Sequence, residues 1–180
     1  LDTGKVDEIK KFHDYGIIRG VTTNPSILVK EGLGTNLKEL KKKFIEIADL
    51  INPLPLSLEV TSNETSEMFE QAELFAGWAD NINVKITIHG PNGELNNLKV
   101  INQLENKKNI RVNVTAMMSA QQCYLAAQAG ATYVSIFGGR INNMGYDSNK
   151  EIYILRNLLD KFNLNSKIIV GSTREIINIT

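Results

Sequence analysis

Lys85 is the residue of this chain with the most chemistry open to it. It stands in the run Val84 to Ile88, with Asn83 two positions before it and Thr87 two after. Side chains alternate across a strand, so these three polar groups share one face. A lysine in that pattern also reads as a solvent-facing group on a half-exposed sheet. If the face is enclosed, the amine loses hydration, which favours the neutral form that attacks a carbonyl and forms a Schiff base. Asp2 ends the first strand-like run and Glu59 the third, and two carboxylates can divide the proton transfers between them. Glu59 alone reads equally as a surface charge at a strand end.

A second group has the character of an anion site. Arg140 follows Gly138-Gly139 after the sixth run, and Ser172 and Arg174 follow Gly171 after the seventh. Glycine-rich turns let backbone N–H groups approach a phosphate, and phosphate sites of parallel barrels use the loops after the late strands. The plainer readings are a helix cap for Ser172 and rim ion pairs for the arginines. Neither a Walker loop nor a dinucleotide fingerprint occurs. His13, His89, Cys123, Tyr124, Met117, Met118 and Trp78 read as packing, surface or rim residues.

The elements that must hold these groups follow from periodicity. Short β-branched runs centre on Val21-Thr22, Leu56 to Val60, Val84 to Ile88, Arg111 to Thr115, Tyr133 to Phe137 and Ile168 to Val170, after a stub at Leu1-Asp2-Thr3. Apolar stripes of helical spacing lie between them: Leu37, Leu40, Phe44, Ile47 and Ile51; Met68, Ala72, Phe75 and Ala79; Leu98, Ile101 and Leu104; Ile152, Leu155, Leu158, Leu159 and Phe162. Strand–helix alternation means a parallel sheet with helices outside. Roughly seven runs leave an open doubly wound sheet and a closed (β/α)₈ barrel both possible, since a barrel needs eight strands and typically about 250 residues.

Parity favours the barrel. Thr22 and Asn24, Ser57 and Glu59, Asn83, Lys85 and Thr87, Asn113 and Thr115, and Ser135 and Phe137 each share one parity. The other parity is mostly apolar: Val21 and Thr23, Leu58 and Val60, Val84, Ile86 and Ile88, Val112 and Val114, Val134 and Ile136. Strands of an open doubly wound sheet are buried on both faces and read as continuous apolar runs. A polar parity repeated through five strands fits a barrel interior that holds a site.

Composition sets the outer limits. Twenty Lys and Arg balance twenty Asp and Glu in 180 residues, so there is no global electrostatic footprint for nucleic acid or anionic lipid. The longest apolar run, Cys123 to Ala127, is far short of the ~20 residues of a membrane span. One cysteine forms no internal disulfide, and one cysteine with two scattered histidines makes no Cys/His zinc site. No export leader is visible, and the expectation is one cytoplasmic domain over residues 1–180. The chain starts at Leu1 and stops within an apolar stretch at Thr180, so further residues, with an eighth strand after Thr180, are expected.

The blocks LDT at Leu1, GVTTNPS at Gly20 to Ser26, SLEV at Ser57 to Val60, NVKI at Asn83 to Ile86, NVTA at Asn113 to Ala116, SIFGGRI at Ser135 to Ile141 and GSTRE at Gly171 to Glu175 resemble, in order, those of the transaldolase family, which includes the fructose-6-phosphate aldolases. The resemblance implies a class I aldolase-type (β/α)₈ barrel that moves a dihydroxyacetone unit between sugar phosphates in the pentose phosphate pathway. It implies no metal and no cofactor; with the composition arguing against a nucleic acid or membrane partner, sugar phosphates and a second copy of the chain, in a homo-oligomer, are the expected partners. Lys85 matches the Schiff-base lysine, Asp2 the acid/base for the breaking carbon–carbon bond, and Glu59 with Thr115 the pair that handles a catalytic water. Asn24 and Asn113 match sugar-hydroxyl ligands, supported by Thr22, Ser57 and Ser135, and Arg140, Ser172 and Arg174 match the phosphate site. Thr87 stands where most members have proline, and Ile136 where many have it; both changes bear on substrate choice more than on reaction class. Members that release free dihydroxyacetone typically carry tyrosine at the position of Phe137 and glutamine at that of Glu59, so both positions point to the transferase. A lyase and a non-catalytic barrel homologue are the alternatives, and the intact set of Lys85, Glu59, Asp2 and Thr115 speaks against the latter.

Overall fold

The computed structural model describes residues 1–33 and 36–173. Parallel strands alternate with helices throughout, which is the (β/α) class read from the sequence. The described residues fall into two compact units, Leu1–Lys85 and a second that begins at Ile86.

The first unit carries α1 (Val6–Asp14), β1 (Val21–Thr22), α2 (Pro25–Lys30), α3 (Leu37–Ile51), β2 (Leu56–Glu59), α4 (Thr65–Ala76) and the start of β3 (Ile82–Thr87). β1 pairs with β2 and β2 with β3, both in parallel. The Leu1-Asp2-Thr3 stub is not a full strand: it makes one parallel bridge, Asp2 to Thr22. Among the described residues, six strands and this bridge account for the runs in the sequence. α2 begins at Asn24, whose Oδ1 accepts from the Ile27 N–H at 3.0 Å, with Pro25 in the first turn where its missing N–H costs nothing. The apolar parity of the strands meets the helix stripes in a core of Ile47, Ile51, Leu56, Leu58, Ala72 and Val84, all at most 1% exposed. Trp78, just beyond α4, packs on Phe75 at 4.7 Å and Phe44 at 6.1 Å between ring centroids. Gly20 lets the chain enter β1 against Pro55, whose carbonyl oxygen lies 2.8 Å from where a Cβ would be.

The second unit carries the end of β3, then α5 (Asn97–Lys107), β4 (Val112–Met117), α6 (Ala120–Gln128), β5 (Tyr133–Phe137), α7 (Gly138–Asn143), α8 (Ser148–Lys161) and β6 (Lys167–Gly171). β4, β5 and β6 pair in order and in parallel. Ser119 caps α6, and Asp147 caps α8 through two backbone N–H groups. Glu105 at the end of α5 clamps two strand starts, accepting from the N–H groups of Val112 at 2.7 Å and Thr132 at 2.6 Å. Gly138 and Gly139 do not form the turn expected from their sequence: they open the short helix α7 directly behind β5, and both are buried. The register slips by one residue between Val114 and Met117, where Ala116 takes a positive φ of 62°. This bulge leaves Val114 and Met117 on one face, paired to Val134 and Ile136, and so carries Met117 into the core at 0% exposure.

Candidate active site

Register, rather than sequence proximity, assembles the polar face of the first unit. Thr22 pairs with Ser57, and Ser57 with Asn83; one step further along, Glu59 pairs with Lys85. Paired residues of parallel strands project to the same side, so the parity read from the sequence becomes a physical row. Lys85 is 7% exposed. Its Nζ lies 3.0 Å from Glu59 Oε2 and donates to the carbonyl of Thr23 at 3.1 Å. Thr23 is fully buried, and its own hydroxyl donates to the Ser57 carbonyl at 3.2 Å. The lysine is therefore enclosed, not solvent-facing, and is held between a carboxylate and a carbonyl.

Asp2 is exposed, and its Oδ1 accepts from the Thr22 hydroxyl at 2.8 Å. The backbone bonds Thr22 N–H to Leu1 O and Thr3 N–H to Thr22 O fix the segment on both sides of it. Gly4 N–H donates to Glu31 at 3.0 Å and tethers the same segment from α2's far end. Asn24 follows β1 as the cap of α2, with its side-chain Oδ1 accepting from the Ile27 N–H. Asn83 is fully buried, and neither atom of its amide has a hydrogen-bond partner among the described residues. Buried polar groups are nearly always satisfied, so such atoms mark functional or strained positions.

The second unit holds a further polar set. Asn113 and Ser135 are buried, and the Ser135 hydroxyl donates to Asn113 Oδ1 at 2.7 Å. Thr115 is 2% exposed; its hydroxyl has no partner among the described residues, while its carbonyl accepts from Ile88 N–H at 3.0 Å. The bulge at Ala116 immediately follows it, a local distortion of the kind found beside active sites. Phe137 ends β5 opposite Gly171 on β6, and the guanidinium of exposed Arg140 lies over its ring, 4.7 Å from the centroid. Ser172 follows with a φ of 56°. Arg174 lies outside the described residues.

Sequence reading missed two participants. A backbone carbonyl carries no side-chain signal, so Thr23 had none to give. Asn97, 1% exposed at the start of α5, donates from Nδ2 to the carbonyl and hydroxyl of Thr87. Its signal was its place four residues before Ile101 and seven before Leu104, on the apolar stripe. Cys123 is fully buried, as its packing role required. Among the described residues, no three His, Cys, Asp or Glu side chains converge to hold a metal ion, and no helix is long and apolar enough to cross a membrane.

The family described as Transaldolase/Fructose-6-phosphate aldolase matches residues 1–180. A relative in Clostridium kluyveri named "Probable transaldolase" is 42% identical over 179 residues, covering 99% of this chain and 78% of its own. One in Listeria monocytogenes named "Probable transaldolase 2" is 40% identical over 176 residues, covering 98% of this chain and 75% of its own. A third, the "Probable transaldolase" of Brevibacillus brevis, is 34% identical over 180 residues, with 100% and 78% covered.

Proposed function

The chain belongs to the transaldolase/fructose-6-phosphate aldolase family, and from that premise we propose that it transfers a dihydroxyacetone unit between sugar phosphates through a Schiff base on Lys85. The observation that carries this reading is the enclosed Lys85–Glu59 pair, with 3.0 Å between Nζ and Oε2. An ion pair in a buried setting recovers little of its desolvation cost, so it is poor packing for stability alone. A carboxylate against an amine has a direct chemical use: it accepts the proton that the ammonium must lose before it can attack.

The neutral amine adds to the C2 carbonyl of fructose 6-phosphate, and water leaves as the iminium forms. Asp2 takes the proton of the C4 hydroxyl. The C3–C4 bond breaks, its electrons enter the iminium, and glyceraldehyde 3-phosphate departs. The resulting enamine adds to the aldehyde of erythrose 4-phosphate, whose oxygen takes the proton back from Asp2, and hydrolysis of the new iminium frees sedoheptulose 7-phosphate and the amine. The net exchange belongs to the pentose phosphate pathway. The family resemblance assigns both Glu59 and Thr115, whose buried hydroxyl is unpaired among the described residues, to the handling of the water of imine formation and hydrolysis. Asn113 with Ser135, and Thr22 with Ser57, take the sugar hydroxyls, and Arg140, Ser172 and Arg174 the phosphate. Phe137 stands where members that release the free ketone carry tyrosine, and its ring has no proton to donate, which favours transfer over release.

Borohydride added with fructose 6-phosphate tests the reading. A three-carbon adduct on Lys85 in a peptide map is the expected result. An active sample that is labelled elsewhere, or not at all, refutes it.

A further inference from the structure

We propose that Asn97 is a positioning residue for Lys85, acting through Thr87; the proposal rests on Lys85 being the nucleophile. α5 buries a stripe formed by Asn97, Ile101 and Leu104, at the spacing of one helix face. An amide is an expensive member of an apolar stripe, because its donors must find partners away from water. Asn97 meets that demand at the end of β3: Nδ2 donates to the Thr87 carbonyl at 3.0 Å and to the Thr87 hydroxyl at 3.2 Å. The Thr87 hydroxyl in turn donates to the His89 carbonyl at 2.9 Å. The next residue, Ile88, gives its N–H to the Thr115 carbonyl at 3.0 Å.

The last residue of β3 is thereby fixed by a helix side chain, by its own turn and, through Ile88, by backbone pairing. Lys85 lies two residues before Thr87 on the same face of the strand. A reacting amine has to be held within a fraction of an ångström through imine formation, bond cleavage and hydrolysis, and small displacements that arise away from the chemistry lower the rate steeply. Asn97 supplies that restraint without touching substrate. A packing role alone would have been met by leucine or alanine, both better helix formers than asparagine.

The test compares Thr87→Val, Thr87→Ser and Asn97→Asp in the full protein. The readouts are kcat and KM for fructose 6-phosphate with erythrose 4-phosphate, and the rate of borohydride trapping on Lys85. Thr87→Val keeps the shape and removes the hydroxyl; Asn97→Asp keeps the shape and removes the donor. Both are expected to lower kcat and the trapping rate by about ten-fold or more, with KM changed by less than about two-fold. Thr87→Ser, which keeps the hydroxyl, is expected to restore both rates. Thr87→Val with wild-type kcat, a loss confined to KM, or Thr87→Ser as impaired as Thr87→Val each overturns the positioning role. A wild-type protein that turns over but traps nothing on Lys85 overturns the nucleophile reading itself, and this proposal with it.

Discussion

Glu59 Oε2 stands 3.0 Å from Lys85 Nζ because the two residues are register partners on adjacent parallel strands. The carboxylate is less enclosed than the amine, with 18% of its side chain exposed against 9%. The pair therefore has a wetter end on the acid and a drier end on the base.

Glu59→Gln keeps the shape and a hydrogen-bond acceptor while removing the proton acceptor. The expected result is a loss in kcat of roughly 10²-fold or more, within the usual contribution of general acid–base groups. Borohydride trapping should slow in parallel. A glutamine variant with an unchanged trapping rate would show that the lysine loses its proton by another route.

Arg140→Ala removes a charge-assisted partner for phosphate, worth ~1.5–3 kcal/mol, or roughly 10- to 150-fold in affinity. The loss should appear with phosphorylated acceptors and spare unphosphorylated ones. Equal losses on both classes would assign Arg140 to holding Phe137, over whose ring it lies.

Phe137→Tyr installs the residue that the free-ketone-releasing members carry at this position and adds a hydroxyl capable of giving or positioning a proton. The ratio of free dihydroxyacetone to transferred product should rise, measured with fructose 6-phosphate in the presence and absence of erythrose 4-phosphate. An unmodified enzyme that releases the free ketone as fast as it transfers would make the activity that of a lyase.

Burial pushes the Glu105 carboxyl above its usual range, against the opposing hydrogen bonds from Val112 and Thr132 and the nearby charge of Arg111. A raised carboxyl binds its proton more tightly in the folded state. Its stabilising contribution is therefore complete below the unfolded pKa and is lost as pH rises through the folded one. Measured as Tm, the wild-type protein should gain on Glu105→Gln as pH is lowered from neutral toward 4, and the opposite trend would contradict the linkage.

Burial, reinforced by the charge of Glu151, pushes the Cys123 thiol up to about 12. With almost no thiolate at pH 8, the native protein should not react with dithionitrobenzoate, and one equivalent should react after denaturation. Rapid labelling of the native form would mean that α6 opens readily.

What was legible in the sequence was whatever a period of two or of 3.6 encodes. The parity of Asn83, Lys85 and Thr87 named the face that Lys85 occupies, and the spacing of Phe44, Ile47 and Ile51 named the buried face of α3. These patterns are local, so one chain segment carries all the information. Residues of the first unit were also recognisable by type and order, down to Glu59.

Tertiary structure decided what depends on two segments at once. That Glu59 meets Lys85, 26 residues away along the chain, is a matter of strand register, which neither segment specifies alone. The Thr23 carbonyl became a lysine partner because the residue that follows β1 lies within reach of the Lys85 side chain on β3. Gly138 and Gly139 opened a helix rather than a turn, buried behind β5. The bulge at Ala116, beyond the alternating run that ends at Thr115, moved Met117 from the rim expected of it into the core. Asn97 shows the limit most directly. Its spacing placed it on the apolar stripe of α5, but an amide there has meaning only once the end of β3 arrives opposite it with a carbonyl and a hydroxyl to accept its hydrogens.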